Sequence, residues 1–269
     1  MPLAVCATPI GNLGDVTLRL LAELRAADVV LCEDTRHTRG LLERHGIEAR
    51  LLSYHEHNEA ARTAELLPRL EAGERIALVS DAGMPGISDP GARIVQAALA
   101  AGVPVTVLPG PSAVETALVA SGLVGGRYQF LGFLPRGEKA LAGIWNELRG
   151  WHFPAVAFES PQRLPATLRS LAGADPERQV AVCRELTKRF EEVVRGTAVE
   201  LAERFAEPPR GEITLVVGAA APRDSEPAED DALAAVSELV DAGVPRKRAA
   251  EIVSRLTGVA RNRLYRGSL

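Results

Sequence analysis

Residues 80–91 read Ser-Asp-Ala-Gly-Met-Pro-Gly-Ile-Ser-Asp-Pro-Gly, and the prediction of the fold starts from this stretch. The apolar run of residues 76–79 before it predicts a buried strand, and a helical pattern over residues 92–101 follows it. Three glycines and two prolines leave the loop backbone bare, bent and stiff. Asp89 is expected to cap the helix, with Pro90 at its first position. Open α/β sheets bind ligands at such loops, beyond the carboxyl end of a strand.

The residues of the loop exclude some classes of ligand and favour others. It contains neither the Gly-Lys-Ser/Thr of a P-loop nor a Gly-x-Gly-x-x-Gly pattern, and its two acidic residues would repel a phosphate. Asp81 suits a ligand that carries an amine, a sulfonium or a ribose hydroxyl. Taken alone, the loop is equally compatible with an ordinary strand-to-helix turn that has a capping aspartate.

The first half of the chain repeats the same strand, loop and helix order. A glycine-bearing loop, residues 8–15, follows an apolar strand, and a polar cluster, residues 33–39, follows the next one. Short connections between alternating strands and helices predict a parallel sheet covered on both faces. Three glycines within residues 122–126 mark a boundary, so we predict an N-terminal α/β domain over residues 1–121.

The second half has more strands per helix. We therefore predict a mixed, largely antiparallel sheet in a second α/β domain over residues 122–220. Residues 219–230 are rich in Pro, Ala, Asp and Glu and predict a linker. Residues 231–269 predict a small domain of two or three short helices.

Charge is distributed unevenly along the chain. The formal net charge of the whole chain is −4, but residues 244–269 carry seven basic side chains and one acidic side chain, a net +6. A basic appendage on an acidic body indicates a polyanion-binding module, the alternative being a solvated helical face.

The cysteines, the histidines and the N-terminus exclude several classes. Cys6, Cys32 and Cys183 lie in apolar strand-like runs and are expected to be buried free thiols, as in a reducing compartment. No signal peptide or membrane span is predicted, so we expect a cytoplasmic protein. His55 and His57 lack matching ligands at metal-site spacing, so no metal is expected.

Several motifs, taken together, resemble those of one known family. Residues 7–15 (Ala-Thr-Pro-Ile-Gly-Asn-Leu-Gly-Asp), 33–36 (Glu-Asp-Thr-Arg) and 79–91 resemble the ribosomal RNA small subunit methyltransferase I family of the tetrapyrrole methylase superfamily. Further matches follow in the same order at residues 109–113, 132–136, 183–188 and 211–214. One departure is Met84, which stands where that family is expected to have threonine and which would lie beside the cofactor.

The resemblance implies two α/β domains with S-adenosylmethionine between them, usually in a homodimer. It implies methyl transfer to the ribose 2′-hydroxyl of a cytidine in the decoding region of 16S rRNA, on the small ribosomal subunit. The residues that it implies for the cofactor are Pro9, Asp81, Ala82, Gly83, Met84, Ile87, Ser112 and Ala113.

A ribose hydroxyl is a poor nucleophile near neutral pH, so a base or a polarising cation should assist it. The candidates are Lys188, Glu185, Glu33 and Arg36, of which Lys188 is favoured because the chain has only three lysines. For Glu33 the alternative is a structural ion pair, because Arg36 is nearby. The expected RNA contacts are Arg36, Arg39, Arg136, Arg246, Lys247 and Arg248. The alternatives are a tetrapyrrole C-methyltransferase of the same fold and a non-catalytic RNA-binding assembly factor.

Overall fold

The computed structural model describes residues 2–220 and 229–268, which divide into two compact units, Met1–Ala219 and Ala220–Leu269. Of the linker predicted for residues 219–230, residues 221–228 lie outside the described residues, and residues 229 and 230 are helical. Both predicted α/β domains fall within the first unit, so the boundary at residue 121 stays a prediction.

The first sheet has five parallel strands, as the alternating pattern predicts. In spatial order they are β3 (Leu51–Ser53), β2 (Val29–Cys32), β4 (Ile76–Val79), β1 (Leu3–Cys6) and β5 (Val105–Leu108). The register pairs Cys6 with Val79 on one side and with Leu108 on the other, so three loops leave the sheet at one edge.

Helices cover both faces of this sheet. They are α1 (Leu18–Ala26), α2 (Thr35–Arg44), α3 (Glu59–Glu71) and α4 (Ala92–Ala100), and α5 (Ala113–Ser121) follows β5. The three inner strands, β2, β4 and β1, are buried on both faces, which explains why each is an unbroken apolar run, whereas the edge strands β3 and β5 are only partly buried and contain Ser53 and Thr106. Helix α3 is one continuous helical segment through Pro68, a residue type that often kinks or breaks a helix.

The second sheet is mixed, as predicted. Its strands in spatial order are β6 (Gln129–Phe133), β7 (Ala155–Glu159), β10 (Ile213–Val217), β8 (Gln179–Arg184) and β9 (Glu192–Thr197). Only β6 and β7 pair in parallel. Its helices are α6 (Glu138–Leu148), α7 (Leu164–Ala174) and α8 (Ala198–Arg204).

Helix α5 connects the two sheets. Ala117 and Leu118 on α5 pack in one buried cluster with Val156, Ala181 and Val216 of the second sheet. The chain therefore leaves the first sheet at β5 and crosses to the second one through a buried helix, which fixes the edge of the first sheet against the second.

The second unit is a three-helix assembly with its own core. It contains α9 (Glu229–Asp241), α10 (Arg246–Thr257) and α11 (Arg261–Gly267), packed around Val236, Val253 and Leu264. Gly258, in the left-handed conformation, ends α10.

The three cysteines are buried and free, as predicted. Across the described ranges, the structure has no helix that is both long enough and apolar enough to span a bilayer.

Candidate functional site

A cavity of about 620 Å³ lies between the carboxyl edge of the first sheet and the second sheet, within the first unit. Its walls are the β4–α4 loop, the start of α5 and the ends of four strands of the second sheet. Seven of the eight residues predicted to hold a cofactor line it: Asp81, Ala82, Gly83, Met84, Ile87, Ser112 and Ala113.

Pro9 is the residue of that set that does not line the cavity, since it is buried and the next residue, Ile10, forms the wall. The loop that contains it is tied to the β4–α4 loop by two backbone hydrogen bonds, Thr8 N to Gly83 O (2.9 Å) and Gly83 N to Thr8 O (3.2 Å). The Thr8 hydroxyl also donates to Ser80 O at 3.0 Å. Two glycine-bearing loops therefore form one continuous wall.

The β4–α4 loop follows a tightly constrained path. Its three glycines and Ser88 all have positive φ, with values of 65° at Ser88 and 139° at Gly91. A Cβ at Gly91 would lie 2.8 Å from Leu78 Cδ2, so a side chain at this position would displace the core of the sheet. The loop is held against β4 by a close backbone approach that requires glycine.

The prediction that Asp89 caps α4 is wrong. Helix α4 begins at Ala92, its cap position is Gly91, and no side chain caps it. Asp89 is half-buried and lines the cavity instead. Burial, together with Glu33 and Asp81 nearby, raises the pKa of Asp89 from its usual 3.8 to about 6.

A second, more open cavity of about 530 Å³ adjoins the first, and Asp81 lines both. Its lining is polar throughout: Glu33, Asp34, Thr35, Arg36, Ser53, His55, His57 and Asp81. Partial burial and Asp81 raise the pKa of Glu33. Asp34 accepts from Arg36 at 2.7 Å, and hydrogen bonds from Arg36 hold the pKa of Asp34 well below its usual range.

The wall provided by the second sheet is largely apolar and aromatic. Phe158 contacts Phe130 and Phe133 edge to face, with ring centroids 5.1 and 5.4 Å apart. At its margin, Glu115 on α5 accepts from the hydroxyls of Ser112 and Tyr128, which lowers the pKa of Glu115. Ser112 holds the cap position of α5, but its hydroxyl bonds Glu115 rather than the helix backbone.

Lys188 and Glu185 lie in the loop after β8, where neither lines a cavity. The Lys188 ammonium is 3.0 Å from Glu185 Oε1 and 3.0 Å from Glu212 Oε2, and Glu212 lines the first cavity. Burial lowers the pKa of Lys188, but hydrogen bonds to Glu212 and Glu185 outweigh it, so this pKa is raised overall. Lys188 is therefore held as a cation, which is unfavourable for a general base.

The same loop packs against the loop that follows β1. A Cβ at Gly11 would lie 2.5 Å from Lys188 Cγ, and the Asn12 backbone N–H donates to Thr187 Oγ1 at 3.0 Å. Glu185 and Thr187 have φ of 52° and 66°, a conformation in which non-glycine residues are strained. These contacts fix the lysine relative to the first sheet.

The arginines expected to contact RNA are dispersed. Arg36 lines the polar cavity, whereas Arg39 and Arg136 are exposed elsewhere on the first unit. Arg246, Lys247 and Arg248 form the first turn of α10 in the second unit. A search of the described residues finds no group of three or more His, Cys, Asp or Glu side chains that could hold a metal ion.

Sequence reasoning missed Asp89, Glu115, Tyr128 and the three phenylalanines as wall residues. The three phenylalanines, Phe130, Phe133 and Phe158, are separated by up to 28 positions in sequence and meet only through the pairing of β6 with β7. The sequence does contain a signal for Asp89: glycine can also stand at a helix cap position, and Gly91 follows Asp89 by two residues. The prediction that the Asp-Pro pair starts the helix overlooks this glycine.

Two sheets that face each other across an aromatic and carboxylate-lined cavity define a two-lobed α/β ligand-binding protein. A family model described as Tetrapyrrole (Corrin/Porphyrin) Methylases matches residues 2–202. Solved structures share the fold: the methyltransferase CobJ has a TM-score of 0.63 at 20% identity, covering 83% of this chain and 96% of its own. Uroporphyrin-III C-methyl transferase from Thermus thermophilus, complexed with S-adenyl homocysteine, has a TM-score of 0.55 at 23% identity, with coverages of 80% and 96%.

Curated relatives are more similar in sequence. A protein of Micromonospora olivasterospora named Ribosomal RNA small subunit methyltransferase I is 44% identical over 96% of this chain and 83% of its own length. Its namesake in Thermotoga maritima is 44% identical over 80% of this chain and 97% of its own length. This chain belongs to the ribosomal RNA small subunit methyltransferase I group of the tetrapyrrole methylase family, which confirms the resemblance found in its motifs.

Proposed function

We propose that this protein uses S-adenosylmethionine to methylate the ribose 2′-hydroxyl of a cytidine in the decoding region of 16S rRNA, on the small ribosomal subunit. The observation that carries the proposal is the cavity between the two sheets, whose walls contain seven of the residues expected to hold the cofactor. The names of relatives at 44% identity support an rRNA acceptor.

The residues of the cavity fit this cofactor. A volume of about 620 Å³ lies within the range of about 300–1,000 Å³ for pockets that enclose small ligands. Gly83 has φ of 77° and only Ile10 and the Pro111 carbonyl near the position of a Cβ, so its bare backbone lets a ligand approach. The Asp81 carboxylate suits an amine or a ribose hydroxyl, and the aromatic wall suits a flat base. Met84 adds a flexible thioether to the same wall.

When bound, S-adenosylmethionine supplies a methyl group on a sulfonium, which an oxygen nucleophile attacks in line. The protein's task is then to position the oxygen and to exclude water, and fixing geometry alone can remove about 7–11 kcal/mol of the barrier. Asp81 is suited to orient both partners because it borders both cavities.

Lys188, Glu185 and Arg36 take distinct parts in this proposal. Lys188 is held as a cation by Glu185 and Glu212, and it lines neither cavity, so we assign it and Glu185 to positioning the wall that Glu212 provides. Arg36 lines the polar cavity, where the acceptor would enter, so we assign it to contact with the RNA backbone together with Arg39 and Arg136. We further propose a homodimer acting in the cytoplasm, to be tested by sedimentation and by cell fractionation.

The decisive experiment maps 2′-O-methylated nucleotides in small-subunit RNA from cells with and without this protein. One cytidine in the decoding region should lose its methyl group in the deletion strain. In parallel, purified protein is incubated with labelled S-adenosylmethionine and either small subunits or uroporphyrinogen. Label in the porphyrinoid and none in RNA would indicate the tetrapyrrole alternative, and stoichiometric subunit binding without label would indicate an assembly factor.

The role of Asp81 is tested by calorimetry with the cofactor. Asp81→Asn should weaken S-adenosylmethionine binding about 10- to 100-fold, the loss expected for one charged hydrogen bond of about 1.5–3 kcal/mol. Asp15→Asn, an exposed carboxylate that lines neither cavity, is the matched control. Equal affinity in Asp81→Asn and the wild type would remove the residue from the cofactor site.

A further inference from the structure

Asp89 is a carboxylate without a partner in the wall of an otherwise well-bonded cavity. Within residues 2–220 and 229–268, it makes no hydrogen bond and no ion pair through its side chain, although it is half-buried. Leaving a partly buried carboxylate unpaired costs folding free energy, so such a group is a candidate for function.

The fold places Asp89 there at a conformational cost. The residue before it, Ser88, has φ of 65°, and Gly91 two residues later has φ of 139°. The Gly91 backbone lies close to Leu78, and Gly91 rather than Asp89 is at the cap position of α4. Strain of this kind persists where the surrounding structure enforces it, and it is concentrated at active sites.

Asp89 lies near the junction of the two cavities. It lines the first cavity, and the two carboxylates whose charges act on it are Asp81 from its own loop, which lines both cavities, and Glu33 from the loop after β2, which lines the polar cavity. An acceptor in the polar cavity and a methyl donor in the apolar one would meet at this junction.

The other carboxylates that line the first cavity already have hydrogen-bond or ion-pair partners in the protein. Each accepts hydrogen bonds or pairs with a cation in the structure: Asp81 with the Asp34 N–H, Glu115 with Ser112 and Tyr128, Glu159 with Thr167 and Arg163, and Glu212 with Lys188. Each of these carboxylates has at least one partner in the protein, whereas the Asp89 side chain has none among the described residues.

We propose that Asp89 is the general base of the reaction, an inference that rests on the proposed function. One carboxylate oxygen of Asp89 takes the proton of the acceptor hydroxyl while that oxygen forms its bond to the methyl carbon. The carbon–sulfur bond breaks with its electron pair on sulfur, so the sulfonium becomes a neutral thioether. The proton on Asp89 then passes to solvent, which restores the carboxylate.

The test compares Asp89→Asn with the wild type in single turnover on small subunits, with saturating S-adenosylmethionine. The rate should fall about 10²- to 10⁴-fold, the usual contribution of a general base. The pH profile of the wild type should rise with pH and reach half its plateau near the pKa of Asp89, about 6, because the base must be ionised. This rise should be missing in Asp89→Asn. Calorimetry should give the same cofactor affinity for both proteins.

An independent measurement needs no substrate. The carboxyl ¹³C spectrum of the protein alone should contain one resonance that titrates near pH 6 and that Asp89→Asn removes. Two matched variants complete the design: Glu33→Gln, the neighbouring carboxylate, and Glu43→Gln, an exposed one on α2 that lines neither cavity.

The outcomes separate the two proposals. A normal rate in Asp89→Asn with a large loss in Glu33→Gln would overturn the assignment and leave the function intact. An unchanged rate at saturation but a cofactor affinity weakened more than tenfold would show that Asp89 binds the cofactor instead. If the wild type transfers no methyl group to RNA, the proposed function fails and this inference fails with it.

Discussion

At the scale of single residues, Gly211 illustrates how one missing Cβ positions charged groups. It has φ of 94°, and a Cβ there would collide with the Glu185 side chain, coming within 2.6 Å of Cδ. The close approach lets the next backbone N–H, that of Glu212, donate to Glu185 Oε1 at 2.9 Å. The same oxygen accepts from Lys188, so the glycine is part of the device that keeps the lysine charged.

Gly211→Ala is therefore expected to destabilise the protein by about 2–4 kcal/mol. About 1 kcal/mol of this comes from the left-handed backbone and about 1–3 kcal/mol from overpacking against Glu185. Gly102→Ala is the matched control, because Gly102 has φ of 72° with open space around it. Urea denaturation should give a loss of only about 1 kcal/mol for the control. Equal losses would show that the collision with Glu185 carries no cost.

Asp89 also predicts an unusual dependence of stability on pH. Its folded pKa of about 6 lies above its usual 3.8, so ionisation is less favourable in the folded state than in the unfolded state. The resulting stability is present below about pH 4 and is lost as the pH rises through 6. Asp89→Asn should therefore raise the melting temperature at pH 7–8 and leave it unchanged near pH 4. A variant less stable than the wild type at pH 8 would contradict the raised pKa.

The error about Asp89 shows where the sequence stops being informative at this scale. An Asp-Pro pair before an apolar helical run has the composition of a helix start, and nothing local distinguishes it from a loop end. What decides is the close approach of the Gly91 backbone to Leu78, together with the Glu33 carboxylate, which another loop brings near Asp89. Those contacts join residues that are far apart in sequence, so a local pattern cannot predict them. The glycines that permit them can be read directly from the sequence.

At the scale of elements, Glu159 connects three segments of the second sheet. It ends β7 with a fully buried side chain, accepts from Thr167 on α7 at 2.6 Å, and lies 3.2 Å from the Arg163 guanidinium. Arg163 also donates to the carbonyls of Leu134 and Pro135, in the loop after β6. One buried ion pair therefore holds β7, α7 and the segment that precedes Arg136.

Removing the cation should cost more than removing both partners. Arg163→Met leaves a buried carboxylate without its counter-charge, for which about 3–5 kcal/mol is usual. The double variant Arg163→Met with Glu159→Gln should recover part of that loss, because no buried charge then remains. Chemical denaturation of the four proteins of this cycle measures the coupling. A double variant no more stable than Arg163→Met would place the cost in the lost loop contacts instead.

The elements themselves were largely predictable. Short apolar runs predicted the five strands of the first sheet, and the three inner strands are continuous runs because strands buried on both faces need hydrophobic side chains throughout. The contacts between elements were not predictable. The sequence around Lys188 suggests a candidate base, yet Glu212, next to the start of β10, holds it as a cation. The pairing of β10 with β8 brings Lys188 and Glu212, which are 24 residues apart in sequence, into contact. The local sequence around Lys188 does not predict this contact.

At the scale of the whole molecule, the basic segment and the cavities lie in different compact units. The second unit contains the basic segment of residues 244–269, whose net charge of +6 is balanced by a net −6 over residues 220–243, so the first unit carries the chain's net −4. The three helices of the second unit enclose an apolar core of their own, so the basic side chains sit on an ordered surface. The cavities belong to the first unit. The RNA contact predicted for the basic segment and the chemistry proposed for the cavities can therefore be tested by separate mutations.

The three basic residues at the start of α10 make this separation measurable. Arg246 and Lys247 form no ion pair within the described residues, and Arg248 pairs only with an exposed Glu251 at 3.0 Å, so all three side chains are free to reach phosphates. Replacing all three by glutamine should reduce the slope of log affinity against log salt for small subunits by about 2, at about 0.7 per phosphate contact with single-stranded RNA. Affinity for S-adenosylmethionine should not change.

The charge-matched control replaces Arg44, Arg50 and Arg169, which are exposed on the first unit, and should leave the slope unaltered. Equal slopes for the two triple variants would mean that only net charge matters and that the second unit makes no specific contact with RNA.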